Sequence, residues 1–317
     1  MGADRQQTEE EADYLRIVEE AAAWFAKLND GKPSRNHRDA FSTWLSADPR
    51  HADAYTDIQR LWDSAGEIPV LKEHDKTLKA KKVTRRQLGV AAILLASGGL
   101  LWRFAPSGPR PDFETATGQR KTITLADGSH VELAAQTQIA VVFTPEVRRV
   151  MLLAGEAFFD VASAPTRPFI VDAGAASARA LGTSFAVSRE AQDVRVIVTE
   201  HAVRLSSGAS NVEITAGHRA TFSGQRISTP EIADTRNDLA WREGRLVFTH
   251  APFGHVAATI NRWRKGRLIV VGEELAQQPV TVIAEIDRLD EVIERLGEIL
   301  PTRIVEVGPW LTLALPR

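Results

Sequence analysis

The apolar run between residues 88 and 102 constrains this chain more than any other stretch. No side chain from Leu88 to Trp102 is charged, and the run is built from Leu, Ile, Val, Ala, Gly, Ser and Trp. A helix through it has no polar face, unlike a helix laid on the surface of a globular domain. The run is shorter than the roughly 20 residues that span a hydrocarbon core. Gln87 and Phe104-Ala105 extend it, and Arg86 and Arg103 can snorkel toward the two head-group layers. Lys72, Lys76, Lys79, Lys81, Lys82, Arg85 and Arg86 precede the run, against Arg103, Arg110 and Arg120 after it. Cationic flanks stay in the cytoplasm. The expectation is a single transmembrane helix over 87–105 with a cytoplasmic N-terminus, a basic juxtamembrane linker at 71–86 and a Pro/Gly-rich stalk at 106–112. A buried helix of a soluble domain is the alternative, and a cleaved signal peptide fits less well because such peptides begin a chain. Thr84-Arg85-Arg86-Gln87 also has the form of a twin-arginine export signal.

With 317 residues the chain exceeds the size at which one core keeps growing, so two or three domains are expected. Its net charge of -2 argues against a chain built to coat nucleic acid, and no direct nucleic-acid partner is expected. It has no cysteine, which removes disulfides, thiolate nucleophiles and cysteine-based zinc sites.

Residues 1–70 read as a small all-α helical bundle. Thr8-Glu9-Glu10-Glu11 has the form of a capping box. Leu15, Val18, Ala22 and Phe25 recur at helical spacing, joined by Trp24 and Leu28, and Asn29-Asp30-Gly31 with Pro33 should end that helix. Ser34 can cap a second helix carrying Phe41, Trp44 and Leu45. Asp48-Pro49 can start a third with Ala52, Tyr55, Ile58, Leu61 and Trp62 on one side. Three tryptophans are many for so small a unit, and fill either its core or a partner-binding groove.

Beyond the stalk the pattern changes to alternation. Lys121 to Leu125 and His130 to Leu133 flank an Asp127-Gly128 hairpin signal, and short strand-like runs follow to about 228. This predicts an all-β domain over 113–228, a sandwich or β-roll. Residues 239–317 read as a small α+β module: a strand at Arg245 to Phe248, a helix from Pro252 with Val256, Ile260 and Trp263 on one side, a strand at Arg267 to Val271, a helix at Leu289 to Leu300, and edge strands at Val305 and at Trp310 to Leu315.

No phosphate loop, dinucleotide fingerprint, nucleophile elbow or H-E-x-x-H zinc site is present. His250 and His255 are wrongly spaced for one helical face, so neither a metal site nor a cofactor is expected. Glu156 reads as a turn or hydrogen-bond anchor rather than a catalytic carboxylate. The chain is therefore read as a non-enzyme; a membrane-anchored hydrolase would rest only on scattered Ser, His and Asp residues.

The stretch AAAWFAKLNDGKPSRNHRDAFSTWLSADPRHADAYTDIQRLW, residues 21–62, resembles the cytoplasmic domain of the FecR family of sigma-factor regulators, above all in Trp44-Leu45, Asp48-Pro49, His51, Ala54 and Leu61-Trp62. GQRKTITLADGSHVEL, RRVMLLAGEAFFDVA, RPFIVDAG and ALGTSFAV resemble, in order, the signatures of the family's periplasmic domain, with Ala134 where an Asn is usual. AWREGRLVFTHAPFGHVAATINRW is similar to the short secretin and TonB-type (STN-like) domain of these proteins. The resemblance implies a single-pass inner-membrane anti-sigma factor with its N-terminus in the cytoplasm and its C-terminus in the periplasm. It implies release of an extracytoplasmic-function (ECF) sigma factor on a signal from a TonB-dependent siderophore receptor, through membrane proteases. Trp24, Trp44, Leu45, Tyr55, Leu61 and Trp62 are then candidates for holding the sigma factor. Val247, Phe248, Val256, Ile260 and Trp263 are candidates for contacting the receptor's signalling domain. Gly182-Thr183 matches the segment where some members cleave their own backbone, by attack of the Thr183 hydroxyl on the Gly182 carbonyl. A membrane-anchored binding module without a sigma partner is the rival reading.

Overall fold

The computed structural model describes residues 2–29, 34–64, 109–180, 182–307 and 310–317. Three helices come first: α1 (Gly2–Asn29), α2 (Arg35–Ala47) and α3 (Pro49–Ser64). Local chemistry sets their ends. The Ser34 hydroxyl accepts a hydrogen bond from the His37 amide at 3.2 Å, capping α2. Asp48 accepts from the Arg50 amide at 2.9 Å, and Pro49 occupies the first turn of α3, where a missing N–H costs nothing.

Fourteen strands follow: β1 (Phe113–Glu114), β2 (Lys121–Thr124), β3 (His130–Leu133), β4 (Gln138–Phe143), β5 (Arg148–Asp160), β6 (Phe169–Ala173), β7 (Ala176–Ala180), β8 (Ser184–Glu190), β9 (Asp193–Val198), β10 (Ala202–Ser207), β11 (Ser210–Thr215), β12 (His218–Ser223), β13 (Arg226–Ile227) and β14 (Glu231–Ile232). They form two packed layers that share one strand. The first half of β5 pairs with β4 and, in parallel, with β6, and that layer continues through β7 and β10 to β11. Its second half pairs with β3 and β8, and that layer continues through β9 to β12. At the changeover the register of β5 against β4 shifts, and the inward positions change from Val150 and Leu152 to Ala157 and Phe159. β2 and β3 pair around Asp127-Gly128 as the hairpin signal requires. Between the layers the closed core includes Phe159, Phe169 and Phe185, with Arg148 buried at its end. Its guanidinium donates to Asp127 at 2.8 Å and to the carbonyls of Ala162 and Arg167.

The last part contains α4 (Thr235–Asp238), β15 (Arg245–Pro252), α5 (Phe253–Trp263), β16 (Arg267–Val270), α6 (Glu273–Ala276), β17 (Pro279–Glu285), α7 (Leu289–Ile299), β18 (Thr302–Val307) and β19 (Leu311–Pro316). β15 and β17 make an antiparallel ribbon. β19 lies between β16, to which it is parallel, and β18, to which it is antiparallel. The stretch from Trp310 to Leu315, expected at an edge, thus supplies the central strand. It is buried on both faces: Leu311, Leu313 and Leu315 point one way and Ala314 the other.

Two parts of the expected architecture are corrected. The N-terminal helices do not close a bundle of their own. No residue of α2 is buried, whereas a bundle needs an apolar stripe from every helix. Instead Ile17, Val18, Ala21, Ala22 and Phe25 of α1 and Ala54 and Ile58 of α3 join Ile269, Val307, Leu311, Leu313 and Leu315 in one cluster. α1 and α3 cover one face of the β16–β19–β18 sheet; α5 and α7 belong to the cluster on the other.

The single transmembrane helix falls with the bundle. Among the described residues no helix is long and apolar enough to cross a membrane. The run at 87–105 that suggested one lies outside the described residues, as do the linker at 71–86 and the start of the stalk. The segments it was expected to separate share a core, and a hydrocarbon layer about 30 Å thick cannot run through such a core.

Candidate functional site

Aromatic side chains gather where α1, α2 and α3 meet. Phe41 lies 5.8 Å from Trp24, 6.0 Å from Trp44 and 4.7 Å from Tyr55, centroid to centroid. Trp44 stacks on His51 at 4.3 Å with the rings nearly parallel, and the His51 Nδ1 lies 2.6 Å from the Trp44 carbonyl. The Trp44 indole donates to Glu20 of α1 at 2.7 Å. That bond and the stack fix the ring, which is partly buried, as are Trp24, Leu45 and Tyr55. Four of the six residues expected to hold a protein partner are thus brought to one region. The side chains of the other two, Leu61 and Trp62, lie outside the described residues. Sequence reasoning missed Glu20, Phe41 and His51 as parts of this surface; their signal was the aromatic spacing itself, which brings α1 and α2 together.

Charge keeps this region in shape. Arg50 bridges Asp48 and Asp13 at 2.7 and 2.8 Å, tying the start of α3 to α1. The hydrogen bonds from the Arg50 side chain and amide hold the Asp48 carboxyl well below the usual carboxylate range, at about 2.

The candidates in the C-terminal module divide differently. Phe248, Val256, Ile260 and Trp263 are buried in the module's core and cannot meet a partner without unfolding it. Their helical and strand periodicity reported packing. Val247 is half-exposed on the outer side of the β15–β17 ribbon, directly across from Ile283, which is 63% exposed. Ile283 was missed; the alternation along β17 places it outward.

Gly182 has φ +148°, which favours glycine, and a Cβ there would come within 3.0 Å of the Ser163 backbone. Thr183 is buried, and its hydroxyl donates to the Glu200 carbonyl. The neighbouring Ser184 hydroxyl donates to Asp160 at 3.0 Å and to Glu200 at 3.2 Å. The two carboxylates stand far from this turn in sequence, at the end of β5 and after β9, so only the sheet pairing reveals them.

Residues 112–204 match the family described as FecR protein, and residues 19–61 match a domain of unknown function, DUF4880. Residues 112–204 are thus similar to a FecR domain. Two crystal structures of a proposed anti-sigma factor from Parabacteroides distasonis ATCC 8503 share the fold. They align with TM-scores of 0.59 and 0.58 at 22% and 23% identity, covering 65% of this chain and 98% of theirs. No curated protein matches the chain.

The FecR domain is joined to the C-terminal module by a continuous junction. The outward row Phe158, Ala186 and Ile197 on β5, β8 and β9 packs with Trp241, Leu246 and Val256. Trp241 donates to Glu156 at 2.8 Å, Arg242 pairs with Glu132 and lies 3.6 Å from the Phe158 ring centre, and Arg262 pairs with Glu190 at 2.8 Å. Arg120 donates to the carbonyls of Trp241 and Arg242. Of the two roles its sequence context left open, a turn or a hydrogen-bond anchor, Glu156 takes the second, toward Trp241.

Proposed function

We propose that this chain is an anti-sigma regulator whose N-terminal helices hold a sigma factor of the extracytoplasmic-function class. The observation that carries the reading is the cluster of partly exposed apolar side chains Trp24, Trp44, Leu45 and Tyr55, with Trp44 held by Glu20 and His51. Large rings held in place and left open to solvent are the usual anchors of a protein interface, because little side-chain freedom is lost on binding. The FecR domain and the fold shared with a proposed anti-sigma factor support the same reading. The C-terminal module receives the releasing signal. The outward pair Val247 and Ile283 is the apolar surface the module offers to a signalling partner.

The test is copurification. Tagged full-length chain should bring down an ECF sigma factor, identified by mass, and Trp44→Ala and Tyr55→Ala should each weaken capture by roughly tenfold or more, as loss of an interface anchor does. Recovery of no sigma factor, or undiminished capture by both variants, would remove the assignment.

A further inference from the structure

The outer face of β8, β9 and β12 continues past the apolar residues Ala186 and Ile197 as a polar cleft of about 310 Å3. Ser188, Arg195 and Thr221 make one row across its floor, because Ser188 faces Arg195 in register and Arg195 faces Thr221. Glu190, Asp193, Arg219 and Glu231 stand around that row. Most of these charges are already matched. Glu190 pairs with Arg262 of α5 at 2.8 Å, and Arg219 bridges Glu231 at 2.7 Å and Asp238 of α4 at 3.1 Å. Asp193 and Arg195 are the exceptions: among the described residues neither has an ion pair, with the other or with any third group. The Ser188 and Thr221 hydroxyls likewise have no hydrogen-bond partner among the described residues, although Ser188 is only 9% exposed.

Residues two apart on a strand share a face, with Cα atoms about 6.6 Å apart. Asp193 and Arg195 therefore offer a carboxylate and a guanidinium side by side. A guanidinium takes a carboxylate through two parallel hydrogen bonds, and hydroxyls about 5 Å away on the neighbouring strands are placed to donate to the same anion. Asp193 is free to accept from an ammonium. We propose that the cleft binds a small zwitterion, an α-amino acid or a dipeptide, with its carboxylate on Arg195, Ser188 and Thr221 and its ammonium on Asp193. The volume lies at the lower end of the range for ligand sites, about 300–1,000 Å3, which suits a molecule of that size.

A dianion such as phosphate fits less well. Glu190, Asp193 and Glu231 set three carboxylates against it, and Arg219 is already committed to two acidic partners, which leaves Arg195 as the single available cation of the cleft. The ion pairs that position the walls reach across to α4 and α5, so the cleft takes its shape from the junction between the sandwich and the C-terminal module. Binding there does not rest on the sigma-holding reading above.

Ligand titration of the full-length chain with alanine, alanylalanine, acetate and ethylamine tests the proposal. Alanine or alanylalanine should bind at least about tenfold more tightly than acetate or ethylamine, each of which keeps only one of the two charge contacts. The tighter of the two zwitterions tells a free amino acid from a dipeptide, and either result supports the site. Arg195→Gln should weaken the zwitterion by about tenfold or more, whereas Asp193→Asn should bring its affinity down to that of acetate. Both substitutions lie on the outer face of the sheet, so the melting midpoint of the free chain should hardly move. No binding of either zwitterion at about 10 mM would overturn the proposal. Acetate bound as tightly as the zwitterions would overturn it by marking a plain anion site, and undiminished binding in Arg195→Gln would place the ligand elsewhere. The comparison of the four probes on the unaltered chain decides the matter even where a variant fails to fold.

Discussion

Gly155 marks the point where β5 passes from one layer of the sandwich to the other. Its φ is +85°, and a Cβ would lie 2.4 Å from the Thr137 hydroxyl and 2.7 Å from the Gln136 carbonyl. Both the dihedral and the space exclude a side chain. Gly155→Ala should therefore cost at least about 2 kcal/mol in chemical denaturation, since strain of this kind is worth roughly 1–3 kcal/mol before any clash is added. A loss below half of that would mean that the neighbouring turn gives way easily. One residue further on, Glu156 supports a pH prediction. Burial pushes its carboxyl above the ordinary value of 4.5, and the Arg262 charge, the Trp241 donor and the Arg195 charge offset only part of that rise. A carboxyl with a raised value binds its proton more tightly in the folded chain than in the unfolded one. Its stabilising effect is complete below the ordinary value and is lost as pH rises through the raised one. Glu156→Gln keeps an acceptor for the Trp241 indole and removes the ionisation. The variant should melt above the wild type at neutral pH, and the gap should close as pH falls below about 4. A variant that melts lower at neutral pH would show that the ionised carboxylate is favoured at the junction.

Elements pack by their side-chain rows, and α7 against β18 gives the tightest example. A Cβ on Gly297 would lie 2.5 Å from Cγ1 of Ile304. Gly297→Ala gains up to about 1 kcal/mol in helix propensity but must push α7 away from the strand, which costs about 1–3 kcal/mol. A net loss of about 1–2 kcal/mol in urea denaturation is expected, and a stabilised variant would show that the helix can slide. Elements were also the level at which the sequence was most readable. Ser34, Asp48-Pro49 and Asp127-Gly128 mark starts and turns by local chemistry, and those features stand where the residues put them. What covers an apolar face was not readable. Val18, Ala22 and Phe25 announce a buried side of α1 but not that it packs on the β16–β19–β18 sheet, more than two hundred residues away. The order β16–β19–β18 was hidden for the same reason, since strand neighbours depend on long-range closure. The candidate site shows the matching limit. Periodic apolar residues such as Val256, Ile260 and Trp263 mark a core as readily as an interface, whereas Trp44 is distinguished only by the open side left beside its hydrogen bond to Glu20.

At the scale of the whole molecule, the sandwich and the C-terminal module are expected to unfold together. The sandwich strands β5, β8 and β9 are apolar on both faces: Phe159, Phe185 and Val196 point into the sandwich, while Phe158, Ala186 and Ile197 join the core of the neighbouring module. A domain boundary crossed by few contacts would let each side melt alone, but this one is filled by Trp241, which is 4% exposed and sits 6.3 Å from Trp263. Calorimetry on the intact chain should show one transition spanning both parts. Trp241→Ala removes the ring and leaves the Glu156 carboxyl without its donor. A large-to-small change of this kind costs about 3–5 kcal/mol, and here that loss falls on the junction rather than on either interior. The single transition should therefore divide into two. Two transitions in the unaltered chain would mean that the parts are merely docked. One undivided transition in Trp241→Ala, shifted as a whole, would mean that the backbone contacts of Arg120 and Gly118 are enough to hold them together.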